Sequence, residues 1–170
     1  NSIQNVGGKV RLTAGTVSQS GSISVGSATG RGGDLSISAK DITLAAGSSI
    51  DASGGKGGGS VRLAASERIE LAAGSAVSAD AGPSGVGDGG SIVIIADLAN
   101  TASSTRVGGA LSARGGGGDG KGGFIETSGT RVDIADSAAV STRSLGGNAG
   151  QYLIDPNDFE VSSTGNISGA

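Results

Sequence analysis

The sequence predicts an all-β fold: a right-handed parallel β-helix of about six coils, with three short strands per coil and glycine-rich loops along one edge. Three observations predict it. Glycine accounts for 35 of 170 residues and recurs with a period, because Gly8, Gly33, Gly59, Gly90, Gly123 and Gly150 each precede an apolar run at spacings of 25, 26, 31, 33 and 27. A repeat of this length marks a solenoid, whereas abundant glycine without a period marks disorder. Within each unit the apolar residues lie two apart, which is strand spacing, and they never follow a helical stripe over three turns. Like residues also fall in like columns from unit to unit. An antiparallel sandwich, with its strands joined by hairpins, leaves that recurrence unexplained. Coils stacked about 4.8 Å apart explain it, because each residue then sits over its own counterpart. The right hand is expected from the general chirality of parallel crossovers.

Each strand follows from its column. The first strand opens at Val10, Leu35, Val61, Ile92, Ile125 and Tyr152, with Leu12, Ile37, Leu63, Ile94, Thr127 and Ile154 two residues later. The second opens at Val17, Ile42, Ile69, Val132 and Phe159, with Leu44, Leu71, Ile134 and Val161 two beyond. The third begins at Ile23, Ile50, Val77, Leu111, Val140 and Ile167. The fourth unit departs from this design. There the second strand is expected at Ala99 and Thr101, with a loop inserted before Leu111 and the coil bulged. Outward positions read Arg11, Ser36, Arg62, Val93 and Glu126 on the first strand, so like charges do not stack. On the second strand they read Ser18, Thr43, Glu70, Asn100, Asp133 and Glu160, an order that sets Asp133 over Glu160.

Residues 1–170 read as a single β-helical segment with coils starting near residues 8, 33, 59, 90, 123 and 150. Solenoids need caps over their open edges, and neither end offers an amphipathic helix. Coils are therefore expected to continue before Asn1 and after Ala170, as part of a longer passenger.

Composition excludes several chemistries. The chain has no cysteine and no histidine, which removes disulfides, thiol nucleophiles, zinc-thiolate sites and Ser–His–Asp catalysis. A net charge of −3, spread without runs, argues against a nucleic-acid surface. No apolar run approaches the length of a membrane span, so membrane insertion is not expected, and NSIQNVGGKV has the charge and apolar pattern of no signal peptide.

The loops GSATGRGG, SGGKGGG, AGPSGVGDGG, RGGGGDGKGG and LGGNAG all follow the third strand. They read as turns. In the most calcium-like of them only Asp119 supplies a carboxylate, and calcium wants several oxygen ligands. None has the phosphate-binding pattern of a glycine loop ending in Gly-Lys-Ser/Thr before a helix. The acidic cluster Asp155, Asp158 and Glu160 in YLIDPNDFEV reads as a turn around Pro156 and Asn157. Together with Asp133 it is the place where a carbohydrate-active β-helix, lyase or hydrolase, would need its paired carboxylates. The outward column Ser24, Asp51, Ser78, Ser112, Ser141 and Ser168 is a hydroxyl-rich face without the repeated Thr-x-Thr of an ice-binding array. No residue is assigned as catalytic, cofactor-binding or metal-ligating.

The run GGFIETSG, then V-x-I, VST, a glycine loop and YLIDPNDFEV, Gly122 to Val161, resembles the haemagglutinin-type repeats of large exoproteins of the bacterial two-partner secretion family, filamentous haemagglutinin-like adhesins among them. Earlier coils such as GGDLSISAKDITLAAGSSIDASGG match the same style more loosely. The family commonly has tryptophan where Tyr152 stands, and its secretion domain with asparagine-proline-asparagine motifs is not found in this chain. The resemblance implies a right-handed β-helical shaft at the surface of a Gram-negative cell or secreted from it, acting in adhesion or contact-dependent antagonism. It implies no catalytic residue and no cofactor. Its expected partners are a host-cell or bacterial surface receptor or glycan, adjacent coils of the same polypeptide, and an outer-membrane transporter acting through a segment not present in this chain.

Overall fold

The computed structural model describes residues 2–6 and 9–157. Its elements are all strands: β1 (Ser2–Val6), β2 (Lys9–Thr13), β3 (Thr16–Gln19), β4 (Ser22–Ser24), β5 (Asp34–Leu44), β6 (Ser49–Asp51), β7 (Ser60–Leu71) and β8 (Ala76–Ser78) come first. They are followed by β9 (Ser91–Ala96), β10 (Ser104–Val107), β11 (Ala110–Ser112), β12 (Phe124–Gly129), β13 (Arg131–Ile134), β14 (Ala139–Ser141) and β15 (Gln151–Pro156). Five complete coils and the first strand of a sixth lie among the described residues. Gly8, Phe159, Val161 and Ile167, which the columns also include, lie outside them.

The chain is a parallel β-solenoid. Val10, Leu35, Val61, Ile92, Ile125 and Tyr152 stack in register, as do Leu12, Ile37, Leu63, Ile94, Thr127 and Ile154. On the third strand Ile23, Ile50, Val77, Leu111 and Val140 do the same. The buried members of these columns form one aliphatic core, with Val10, Leu12, Ile23, Val140 and Tyr152 packed partly buried against it, and each fully buried side chain contributes about 1.5–3 kcal/mol. In the second and third coils the first two strands fuse into the long β5 and β7, whose mutual register shifts between Ala39 and Asp41.

The fourth coil corrects the sequence reading. Its second strand is Ser104–Val107, with Thr105 between Ile69 and Val132 and Val107 between Leu71 and Ile134. Ala99 and Thr101 belong instead to an insertion that precedes this strand. The Asp97 carboxylate accepts the Ala99 N–H at 2.9 Å and the Asn100 amide oxygen accepts the Ala102 N–H at 3.0 Å. Such side-chain turns compete with the ladder and hold the segment as a loop. The outward residue of this rung is therefore Arg106, which lies between Glu70 and Asp133 in register and ion-pairs with Asp133.

At the N-terminal end β1 runs antiparallel along the free edge of β2, with Ile3 opposite Leu12 and Asn5 opposite Val10. It occupies the place where the first strand of a preceding coil would stack. An open edge of this kind otherwise offers unpaired backbone groups to another chain.

Every coil closes its glycine loop in the same way. The N–H groups of Gly33, Gly59, Gly90, Gly123 and Gly150 donate to the carbonyls of Val25, Ala52, Ala79, Ala113 and Thr142 at 2.8, 2.8, 2.7, 2.7 and 2.7 Å. Whatever lies beyond this neck can change length without disturbing the rung. The preceding residue must be glycine for a steric reason: a Cβ on Gly32, Gly58, Gly89 or Gly122 would stand 1.8, 1.9, 2.3 or 1.8 Å from the neck carbonyl of the next coil. At the fifth neck this position is Ala149, and no described coil stacks beyond it.

Gly58 has no positive φ, so a substitution there carries the collision and no left-handed strain. Gly58→Ala is expected to lower stability by about 1–3 kcal/mol, while Ala149→Gly changes it by less than about 1 kcal/mol. Urea unfolding midpoints check this, and a Gly58→Ala chain as stable as the parent would contradict the neck packing.

Candidate functional site

The carboxylates proposed as a possible catalytic group do not gather into one site among the described residues. Asp133 projects outward from β13 and is engaged by Arg106. Asp155 is exposed on β15, paired in the ladder with Ser128 of β12. Asp158 and Glu160 lie outside the described residues. Asp119 is exposed at a loop tip, and no group of three or more acidic residues among the described ones is placed to hold a metal ion. The serine face is real as a column: Ser24, Asp51, Ser78, Ser112 and Ser141 stack in register, and Ser168 lies outside the described residues. Its hydroxyls are partly used, since Ser24 donates to Asp51 at 3.4 Å and Ser112 donates to Asp80 at 2.7 Å. Asp80 also holds Arg114 at 2.7 Å, and this hydrogen bond and its charge raise the guanidinium pKa.

A concave feature lies elsewhere among the described residues, at the corner between the loop necks and the openings of the first strands. It is an open groove of about 640 Å³ that crosses several coils. The paired neck glycines form its floor, including Gly59, Gly90 and Gly123. One wall is the outward column that begins the first strand of each rung: Asp34, Ser60, Ser91, Phe124 and Gln151. The other wall comes from the loops, through Arg31, Asp88 and Lys121.

Hydrogen bonds between coils hold the glycine floor of the groove. Each forward glycine N–H crosses to the next coil, Gly32 to Gly57, Gly58 to Asp88, Gly89 to Lys121 and Gly122 to Asn148, at 3.0, 2.9, 2.8 and 2.8 Å. The Asp88 carboxylate accepts the Lys121 N–H at 2.7 Å, and the Arg31 guanidinium donates to the Gly58 carbonyl at 3.0 Å. Asp34 is paired with Lys9 at 3.3 Å. The Lys121 ammonium, the Ser60 and Ser91 hydroxyls and the Gln151 amide have no partner among the described residues.

The sequence reading took the glycine loops as turns and did not see this groove. Its signal was present: the residue just before the first-strand inward column is polar five times, at Lys9, Asp34, Ser60, Ser91 and Gln151, and aromatic once, at Phe124. An aromatic in an outward column is unusual in a chain with two phenylalanines and one tyrosine.

A polar seam marks the last rungs. Thr127 replaces the isoleucine of its column because the Tyr152 hydroxyl, inward on the next rung, lies 3.1 Å from its Oγ1. Thr105 donates to the Ser128 carbonyl at 2.7 Å. Asn157, of the LIDPN run, donates to Leu98 O at 2.9 Å and so ties the sixth coil to the fourth-coil insertion. Burial raises the Tyr152 pKa and the hydrogen bond to Thr127 partly offsets it.

No protein-family model matches this chain, and no curated protein matches it.

A tyrosine whose pKa is raised by folding stabilises the fold fully below its unfolded value, and that contribution is lost as pH rises through the folded value. Tyr152 is the sole tyrosine, so tyrosinate absorbance reports it alone. The folded chain is expected to titrate above pH 10.0, the unfolded chain at about 10, and Thr127→Val to move the folded midpoint higher. A folded midpoint at or below the unfolded one would contradict the buried hydroxyl.

Proposed function

We propose that this chain is a non-enzymatic shaft and adhesive module of a large bacterial exoprotein, secreted or held at the cell surface, of the haemagglutinin-like adhesin kind. The observation that carries the reading is the division of labour between rung and loop. The rungs repeat one structural design with like positions stacked on like, whereas what lies beyond the neck hydrogen bonds varies in length and side chains. A constant scaffold presenting variable loops on one edge is how recognition surfaces are commonly built. The loop edge also carries the most exposed large apolar side chains among the described residues, Val86 at 78% and Leu145 at 69%. The motif resemblance of Gly122 to Val161 supports the secretion route and its outer-membrane transporter. A cysteine-free chain also suits passage through a periplasm that oxidises thiols.

A carbohydrate-active enzyme is the second reading, and one observation favours it: the groove carries two carboxylates, Asp34 and Asp88. Both already have partners, Lys9 and the Lys121 N–H.

Beads coated with the chain test the adhesive reading. They are expected to attach to epithelial or bacterial cells, and attachment is expected to fall severalfold when residues 83–87 and 144–147 are replaced by Gly-Ser linkers. Incubation with polysaccharides is expected to release no reducing ends or unsaturated products. Absence of attachment, or product release abolished by Asp34→Asn or Asp88→Asn, would overturn the proposal.

A further inference from the structure

We infer that the corner groove is a binding track for an extended, uncharged glycan chain, with Phe124 as its stacking platform; this inference rests on the adhesive reading above. The groove's shape sets the kind of ligand. Asp34, Ser60, Ser91, Phe124 and Gln151 open successive rungs, and four steps of about 4.8 Å give a track of roughly 19 Å. That is a site for a chain, not for a single sugar.

The chemistry of the walls then selects among chains. A peptide adding as a strand needs free backbone groups, and along this column the N–H groups are already engaged. The N–H groups of Ser60, Ser91, Phe124 and Gln151 donate to Gly33, Gly59, Gly90 and Gly123 at 3.1, 2.9, 2.9 and 3.0 Å. A nucleic acid or other polyanion needs a track of unneutralised cations. Here the lining carries two carboxylates, Asp34 and Asp88, alongside Arg31 and Lys121, so no continuous track of positive charge runs along the groove.

What remains free among the described residues is a set of hydroxyl and amide groups on Ser60, Ser91 and Gln151, beside a half-buried aromatic ring, with the Lys121 ammonium on the facing wall. A pyranose chain is complementary to that set. Its C–H faces stack on the ring and its hydroxyls both donate and accept hydrogen bonds. The cross-coil bonds that fix Gly58, Gly89 and Gly122 hold the walls in place before any ligand arrives, so binding costs little ordering of the protein.

The test titrates the 170-residue chain with cello-, xylo- and galacto-oligosaccharides of increasing length, and with oligogalacturonate, by calorimetry. One neutral series is expected to bind, more tightly with length, and Phe124→Ala is expected to weaken it about tenfold. Phe124→Tyr retains binding, which separates loss of the ring from loss of the fold, and Arg62→Ala, outside the groove, leaves it unchanged. Preference for oligogalacturonate that disappears with added salt would overturn the inference, as would binding indifferent to Phe124→Ala. If no neutral series binds while coated beads still attach to cells, the groove assignment falls and the adhesive reading stands. If neither occurs, both fall.

Discussion

The structure depends on the hydrogen bond that closes each glycine loop at its neck. A parallel solenoid stacks its rungs about 4.8 Å apart, and any irregularity in one coil would be passed to the next. The bonds from Gly33, Gly59, Gly90, Gly123 and Gly150 return the chain to the rung at the same point each time. The glycines just before them leave the space through which the next coil's carbonyl passes. This arrangement converts variable sequence into a fixed periodicity, and the groove is its outer face. The floor is made of neck glycines, and the walls are the residues on either side of the neck.

Vertical register also orders the surface charges. Lys9 with Asp34, Asp41 with Arg68, and Arg106 with Asp133 are each partners in the ladder as well as ion pairs. Exposed pairs of this kind contribute about 0–1 kcal/mol each. Their larger effect is on specificity, because a shift of the stack would replace attraction by like-charge repulsion. The outward column Glu70, Arg106, Asp133 illustrates it: an alternation that the fourth-coil misreading replaced with a neutral Asn100.

Most of the fold was legible in the sequence because stacking places each residue over its own kind, and that leaves a column any reader can align. The inward columns from Val10 to Tyr152 and from Ile23 to Val140 are the clearest cases. The fourth coil was not legible by period alone, since Ala99 and Thr101 fell at the expected distance while the strand residue Thr105 is polar. The turn-forming run around Asp97 and Asn100 was the signal that outweighed spacing. Nor was the antiparallel β1 visible, because Ile3 and Asn5 do not belong to any repeating column. The groove was hidden for a different reason. It is made of backbone, and glycines that read as flexible loops become rigid only when the neighbouring coils bond to them.

Corresponding residues of successive coils lie directly over one another, including across the fourth-coil insertion. The chain has no cysteine, so pairs can be introduced without background. Glu70→Cys combined with Arg106→Cys should be bridged rapidly by a short thiol cross-linker such as dibromobimane, and Glu70→Cys combined with Asn100→Cys should not. Efficient bridging of the second pair in place of the first would contradict the register on which the core, the neck and the groove all rest.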